Sequence, residues 1–365
     1  MSTFRRILLF MKPYRLQTAL AIVLGFLTLG ANIGLMGTSG YLIASAALHP
    51  ETILLLWLPI VGVRFFGLSR GVFRYLERLV SHDLTFRILS NIRVWLYGCL
   101  EPRGADLLEK ERSGDVLGSV ICDVDQMQNV FLRVISPPIV AVLTMGLGFG
   151  VLAWYDLRLG YILVVMMLAA GLGVPYYSHK IGRLYGMSLV KERAELFAGT
   201  SDLVMGLSEL IAFGRADEHI QQLEKTQLHM DGLHSRIHRI ASGSGAAIMG
   251  SARLAMWLVL LTSIPLVFQG KISGVALPTL MLVTVACFEA VTTLPAAFQN
   301  LGQTLSAGLR LFRLADQANV SSMTGDGHSI SSESFDQWRT SFQTVEVIFD
   351  RAPYNMRTDL LRFNK

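Results

Sequence analysis

The sequence predicts an all-α membrane protein: six transmembrane helices with long cytosolic helical extensions. Three observations carry that reading. First, 52% of the 365 residues are hydrophobic and only 16% are charged, and the mean hydropathy is +0.46. That is too apolar for a water-soluble chain of this length. Second, the stretch from Thr52 to Cys99 opens as lipid-soluble sequence, TILLLWLPIVGVRFFGL, and turns charged without a break, SRGVFRYLERLVSHDLTFRILSNIRVWLYGC. After Pro59 it holds no proline and no Gly-Ser-Asn cluster, so a helix has no place to stop. Such a helix runs roughly 70 Å, against about 30 Å of hydrocarbon. About half of it must stand in water. Third, the basic residues collect at one set of ends of the apolar segments.

The elements follow in order. MSTFRRILLFMKPYRL has a short apolar run split by Lys12 and Pro13 and no clean cleavage site. It reads as an interfacial amphipathic helix rather than a signal peptide. The first span covers about Gln17 to Leu48, interrupted by Asn32 and the small patch Gly37-Thr38-Ser39-Gly40. Small and hydroxyl residues let helices approach closely, which is preferred here over a ligand contact. His49-Pro50-Glu51 makes a short turn into the second span. After a turn at Glu101-Pro102-Arg103-Gly104, an amphipathic helix runs into a third span, Pro137 to Tyr155, closed by a tight outer turn at Asp156-Leu157-Arg158. The fourth span, about Leu159 to Tyr177, carries on charged to a turn near Gly214, and a returning helix leads to the fifth, about Ser242 to Phe268. The sixth, about Ile272 to Asn300, continues outward as LGQTLSAGLRLFRLADQ. From about Ala318 the chain turns polar and Ser-rich, and TVEVIFD reads as one β-strand, too little for a domain.

Charge sets the orientation. Arg5, Arg6, Lys12, Arg15, the two long excursions, Arg310 and Arg313 share one side, while the other holds Arg158 and Lys271. The positive-inside rule puts the rich side, and both termini, in the cytosol. The net charge of +5 belongs to this pattern and does not point to nucleic acid. Cys99, Cys122 and Cys287 have no paired spacing; the first two are placed in the cytosol, where free thiols are expected.

Local residues add a resemblance. Ser113-Gly114-Asp115-Val116 followed by Asp123-Val124-Asp125 looks like the first intracellular hairpin of an ATP-binding-cassette exporter, and Glu209-Leu210-Ile211-Ala212-Phe213-Gly214 like the second. The run Arg74-Tyr75-Leu76-Glu77-Arg78-Leu79-Val80-Ser81-His82-Asp83, with Leu132-Arg133-Val134-Ile135-Ser136-Pro137, is similar to the CydC-type subunits of thiol exporters associated with bacterial cytochrome bd assembly. The resemblance divides the chain into an exporter transmembrane domain at 1–316, a polar linker at 317–343 and the start of a nucleotide-binding domain at 344–365. It implies a heterodimer with a homologous CydD-type half-transporter in the bacterial cytoplasmic (inner) membrane. It implies export of cysteine or glutathione by alternating access, with haem as regulator or cargo. The sequence departs from the family in showing no G-x-x-x-x-G-K-[ST] loop, no LSGGQ-like signature and no acidic Walker B strand. The expectation is that this chain alone does not hydrolyse ATP, and that ATP and magnesium act through nucleotide-binding domains supplied elsewhere. Two other readings stand: an exporter of lipid or hydrophobic compounds, and a non-transporting haem-binding regulatory subunit.

Candidate site residues follow from depth and charge. Arg64 lies about 18 Å down the second span and Arg70 about 27 Å. A charge near mid-bilayer is costly, so Arg64 should face a watery cavity or a partner. Its guanidinium fork suits the carboxylate of an anionic thiol, and a structural pair or snorkelling is an equal alternative. For Arg70 and Arg74, nearer the interface, the structural reading is preferred. Arg253 and Glu289 fall at similar depth in the fifth and sixth spans and form a buried ion pair, or Glu289 meets a substrate amine. On chemistry alone His82 reads as a solvated histidine; the resemblance makes it an axial haem ligand, with Tyr75 and Arg78 against the ring or its propionates. His229, His234 and His238 read as a solvated face, because no cysteine or carboxylate completes a zinc site. No catalytic array sits at convincing spacing. The resemblance places coupling to the motor domains at two turns, with Arg103 and Asp106 in the first and Phe213, Gly214 and Arg215 in the second.

Overall fold

The N-terminal apolar run folds as α1 (Thr3–Met11) and breaks at a 3-10 turn where Lys12-Pro13-Tyr14 intervene. The computed structural model describes residues 3–49, 52–100 and 123–320; Arg103, Asp106 and the strand expected near the C-terminus lie outside them, as does the polar linker expected at 317–343 except for residues 317–320, which continue the last helix. α1 is anchored on protein along one edge: Ile7 and Met11 are buried among Leu84, Ile88, Ile92, Val130, Phe131 and Leu311, while Leu8 and Leu9 stay exposed.

α2 (Arg15–Ala47) is the first span, and His49 beyond it takes a positive φ of 49°. A 3-10 turn over Ile53–Leu56 leads into α3 (Trp57–Leu100), 44 residues without a break. At about 1.5 Å per residue that is close to 66 Å, twice the hydrocarbon thickness. The expected rod exists. Its two halves differ: between Val61 and Val80 no residue is buried, whereas Ser81, Leu84, Thr85, Ile88, Leu89, Ile92 and Leu96 are.

The third span is entered through a π-helical stretch, Val130–Ile135, that runs into α4 (Ser136–Ala153). Pro137 and Pro138 cannot donate to the carbonyls four residues back, and the wider turn takes up the misfit. Asp156 caps α5 (Leu157–Leu168) by accepting a hydrogen bond from the Arg158 N–H at 2.8 Å. A second π stretch, Ala169–Gly173, joins α5 to α6 (Val174–Met205), which is followed by α7 (Leu207–Ala212) and the long return helix α8 (Ala216–Phe268). The turn before α8 is closed by Gly214 at φ +66°, with the Gly214 N–H donating to the Ile211 carbonyl and the Arg215 N–H to the Leu210 carbonyl. This is a Schellman closure, which needs a residue free to adopt the left-handed region. Gly270 ends α8 in the same way.

The sixth span is not one helix. It comprises α9 (Ala276–Cys287), α10 (Glu289–Thr292) and α11 (Leu294–Val320). Pro295 has no N–H for the Val291 carbonyl, and the chain tightens just ahead of it. Two apolar cores result. One joins α4, α5, α8, α9 and α10 through Leu152, Leu163, Val259, Leu280, Phe288 and Val291; the other ties α1, the lower half of α3, residues 124–131 and α11. All six candidate spans are long and apolar enough to cross a membrane, and no strand occurs among the described residues.

Candidate functional site

The break in the sixth span places Glu289 at the first position of α10. Counted along their helices, Asn32 in α2, Arg70 in α3 and Glu289 each lie about 20 Å from the helix end at the short turns. α3 starts at Trp57 rather than Thr52, so Arg70 sits at mid-depth and not at the roughly 27 Å expected from the sequence. They meet there. Asn32 Nδ2 donates to Glu289 Oε2 at 2.5 Å, and Arg70 Nη2 to Glu289 Oε1 at 3.4 Å. Asn32 is only 4% exposed, and its Oδ1 has no partner among the described residues. The Arg70 and Glu289 side chains keep 30% and 35% of their surface open. A half-open pair at that separation contributes about 0–1 kcal/mol, while a charge-assisted bond such as Asn32 to Glu289 contributes about 1.5–3 kcal/mol. Asn32 therefore holds the carboxylate, and Arg70 is the adjustable partner. Charges at this depth are costly in hydrocarbon, so the open side of the cluster belongs to water or to another protein surface.

The expected Arg253–Glu289 pair does not form: Arg253 is exposed on α8, and Glu289 turns to α2 and α3. The physical reason is rotational. Equal depth brings two helices level, but the face decides contact. Face also separates the arginines of α3. Glu77, Ser81 and Ile88 follow Arg70 at seven, eleven and eighteen residues, one helical stripe, and Ser81 and Ile88 are buried. Arg64, Tyr75 and His82 share a different stripe, with Arg78 beside it, and all four are exposed, as is Arg74. Arg64 thus groups with the residues assigned to haem, not with Arg70. The signals for Asn32 and Arg70 were in the sequence, as an amide in the first span and a shared face with Ser81 and Ile88.

The exposed stripe fits one side of a porphyrin: an imidazole, a guanidinium one turn away, and the Phe86 ring with its centroid 6.2 Å from that of His82. It does not fit a pocket, because nothing among the described residues forms the opposite wall. The small apolar cavity of the extension bundle is lined by Met11, Thr85, Ile88 and Phe131 instead. The described residues of this chain do not by themselves enclose a haem.

At the hairpin tip Phe213 is exposed and Arg215 pairs with Glu218 at 2.9 Å. The Arg215 hydrogen bond and charge hold the Glu218 carboxyl below its ordinary range. His234 and His238 stack with centroids 6.2 Å apart, and His229 lies 3.7 Å from Glu192. Among the described residues no three possible metal ligands converge. In the extension bundle Arg310 donates twice to Asp123, Arg93 reaches Asp125 and Arg6 reaches Asp316. These pairs cross-link the helices on which any thrust from the hairpins would act.

A comparison with protein-family models returns no match. Comparison with individual proteins does. The chain is 32% identical over 319 residues, 84% of its length and 54% of the relative, to the glutathione/L-cysteine transport system ATP-binding/permease protein CydC of Escherichia coli (strain K12). It is 37% identical over 219 residues to the CydD protein of the same description from Bacillus subtilis (strain 168), covering 59% of this chain and 38% of that one. A CydC protein of Haemophilus influenzae is 25% identical over 311 residues, 84% of this chain and 54% of the relative. The chain spans about half the length of the CydC relatives it matches.

Proposed function

We propose, from the premise that this chain is a homologue of CydC- and CydD-type ABC ATP-binding/permease proteins, that it is the transmembrane half of a heterodimeric exporter of small thiols. Its partner is a CydD-type half-transporter, and ATP and magnesium act through nucleotide-binding domains outside the described residues. The cargo is cysteine or glutathione, delivered across the bacterial inner membrane in support of cytochrome bd assembly. Both termini and the long extensions lie on the cytosolic side, where the basic residues collect.

The observation that carries the reading is the Asn32–Arg70–Glu289 cluster on helices that continue into water. A small polar cargo needs charged groups at mid-depth, and those groups are here, half open and balanced in charge. α3 joins this level to the extension bundle without a break. Thrust on the bundle therefore shifts Arg70 relative to Glu289, which sits on a separate short helix. Motor closure would rotate the rod, part the loose pair and turn the cargo site outward. Substrate binding passes to Arg70 and Glu289; Arg64 and Arg253 on other faces, and Arg74 one turn below Arg70, are all exposed and serve the partner interface. Phe213, Gly214 and Arg215 are the contact to the motor. His82, Tyr75 and Arg78 present one side of a haem site that a partner surface completes, and the transport steps need no haem.

The test is ATP-dependent uptake of cysteine into inverted vesicles carrying this chain with a CydD-type partner. Arg70→Gln is expected to lower uptake by roughly tenfold or more, and Arg64→Gln to leave it within about twofold. The opposite ranking would move the cargo site to the exposed stripe.

A further inference from the structure

We infer that the cluster of Asn32, Arg70 and Glu289 is a receptor for a zwitterionic α-amino-acid head group, with the carboxylate on Arg70 and the ammonium on Glu289 and the Asn32 carbonyl oxygen. The assignment rests on the exporter reading above and says which part of the cargo is recognised. It does not involve the thiol.

Three features support it. The two charges are of opposite sign, on different helices, and joined by one long contact of 3.4 Å, while both side chains keep an open face. Arg70 can leave that contact and offer its fork to an incoming carboxylate. Glu289 meanwhile stays fixed by Asn32 at 2.5 Å, so the acceptor for the ammonium is positioned in advance. The third feature is the Asn32 Oδ1, an acceptor on a residue 96% buried that has no partner among the described residues. An ammonium has three donors to satisfy, and a lone acceptor beside a carboxylate is what it requires.

Charge balance selects the ligand class. The empty cluster carries one positive and one negative group, and an α-amino-acid head carries the same two. Inserting it exchanges one internal pair for two cross pairs and leaves no charge uncompensated at this depth. An N-acylated amino acid brings only a carboxylate and leaves Glu289 facing it. A simple amine brings only an ammonium and leaves Arg70 unmatched. Cysteine and glutathione both end in an α-ammonium and an α-carboxylate on one carbon, so one receptor serves cargoes of different size.

The experiment is competition against L-cysteine uptake in the same vesicles, with the complete transporter. N-acetyl-L-cysteine and cysteamine keep the thiol and each lose one charge of the head. Both are expected to compete at least about tenfold more weakly than unlabelled L-cysteine, since a site built for a polar group rejects the analogue that lacks it. Glu289→Gln should then narrow the gap for N-acetyl-L-cysteine and Arg70→Gln the gap for cysteamine. Analogues that compete as well as cysteine in the wild type would overturn the head-group assignment and leave the exporter reading standing. Discrimination that persists unchanged in both variants would also overturn it. Absence of ATP-dependent uptake of any thiol would remove the exporter reading itself. The wild-type arm needs no variant, so it decides even where a substitution fails to fold.

Discussion

Asn32 shows how much one side chain can set. Its amide fixes the Glu289 carboxylate from another helix, and the bond joins the first span to the broken sixth. Asn32→Ala is expected to lower stability by about 1.5–3 kcal/mol, read as a lower unfolding midpoint in detergent; Asn32→Asp should do worse by placing two carboxylates together. Cys99 is a residue-scale case outside the membrane. Burial, and secondarily the charge of Asp316, raise its thiol pKa above the ordinary range, so less thiolate is present at a given pH in the folded chain. Alkylation of Cys99, in a chain with Cys122 and Cys287 replaced by serine, should reach its half-maximal rate at a higher pH when folded than when unfolded. Coincident profiles would contradict the burial effect.

At the scale of elements, close approach decides packing where charge does not. A Cβ on Gly40 would come within 2.9 Å of the Pro278 carbonyl oxygen and 3.0 Å of the Thr279 Cα. Both are backbone atoms, so they cannot swing aside as a flexible side chain would. Gly40→Ala should therefore destabilise by about 1–3 kcal/mol, seen in the same detergent unfolding assay. Gly150 in α4 has open space at the same position. Gly150→Ala is the control and should be neutral or stabilising by up to about 1 kcal/mol. If both substitutions behave alike, the contact between α2 and α9 is looser than the backbone distance implies. The breaks around α10 act in the other direction, giving up helix bonds to set Glu289 on a short piece of its own.

The described residues form two cores joined by rods, and the extension core depends on ion pairs as well as on apolar packing. The Asp123 side chain is 9% exposed and its partner Arg310 is 56% exposed. That inequality predicts an asymmetric response. Arg310→Ala leaves a buried carboxylate without its partner and should cost about 3 kcal/mol. Asp123→Ala leaves an arginine that can turn to water and should cost about 1 kcal/mol. Equal losses in thermal unfolding would show that Asp123 finds another partner. Uncovered apolar surface includes the upper half of α3 and the α6–α8 hairpin, where Phe65, Leu68, Tyr176, Leu184 and Phe197 are exposed. In a membrane protein such faces meet lipid or another protein surface.

The sequence by itself determined the span count, the outrunning rod of α3, the hairpin turn at Gly214 and the close-packed patch at Gly37–Gly40. Each depends on local chemistry or on one-dimensional length: hydropathy, the absence of breakers, a glycine where the backbone must turn left-handed, small residues where helices touch. Asn32 as the anchor of Glu289, Arg70 rather than Arg253 as its charged partner, and Arg64 on the outer stripe were decided only by the tertiary structure. Depth along a helix is a count of residues, but the rotation of one helix about its axis relative to another is set by the packing of the whole bundle. A change of about 100° per residue moves a side chain from one neighbour to the next.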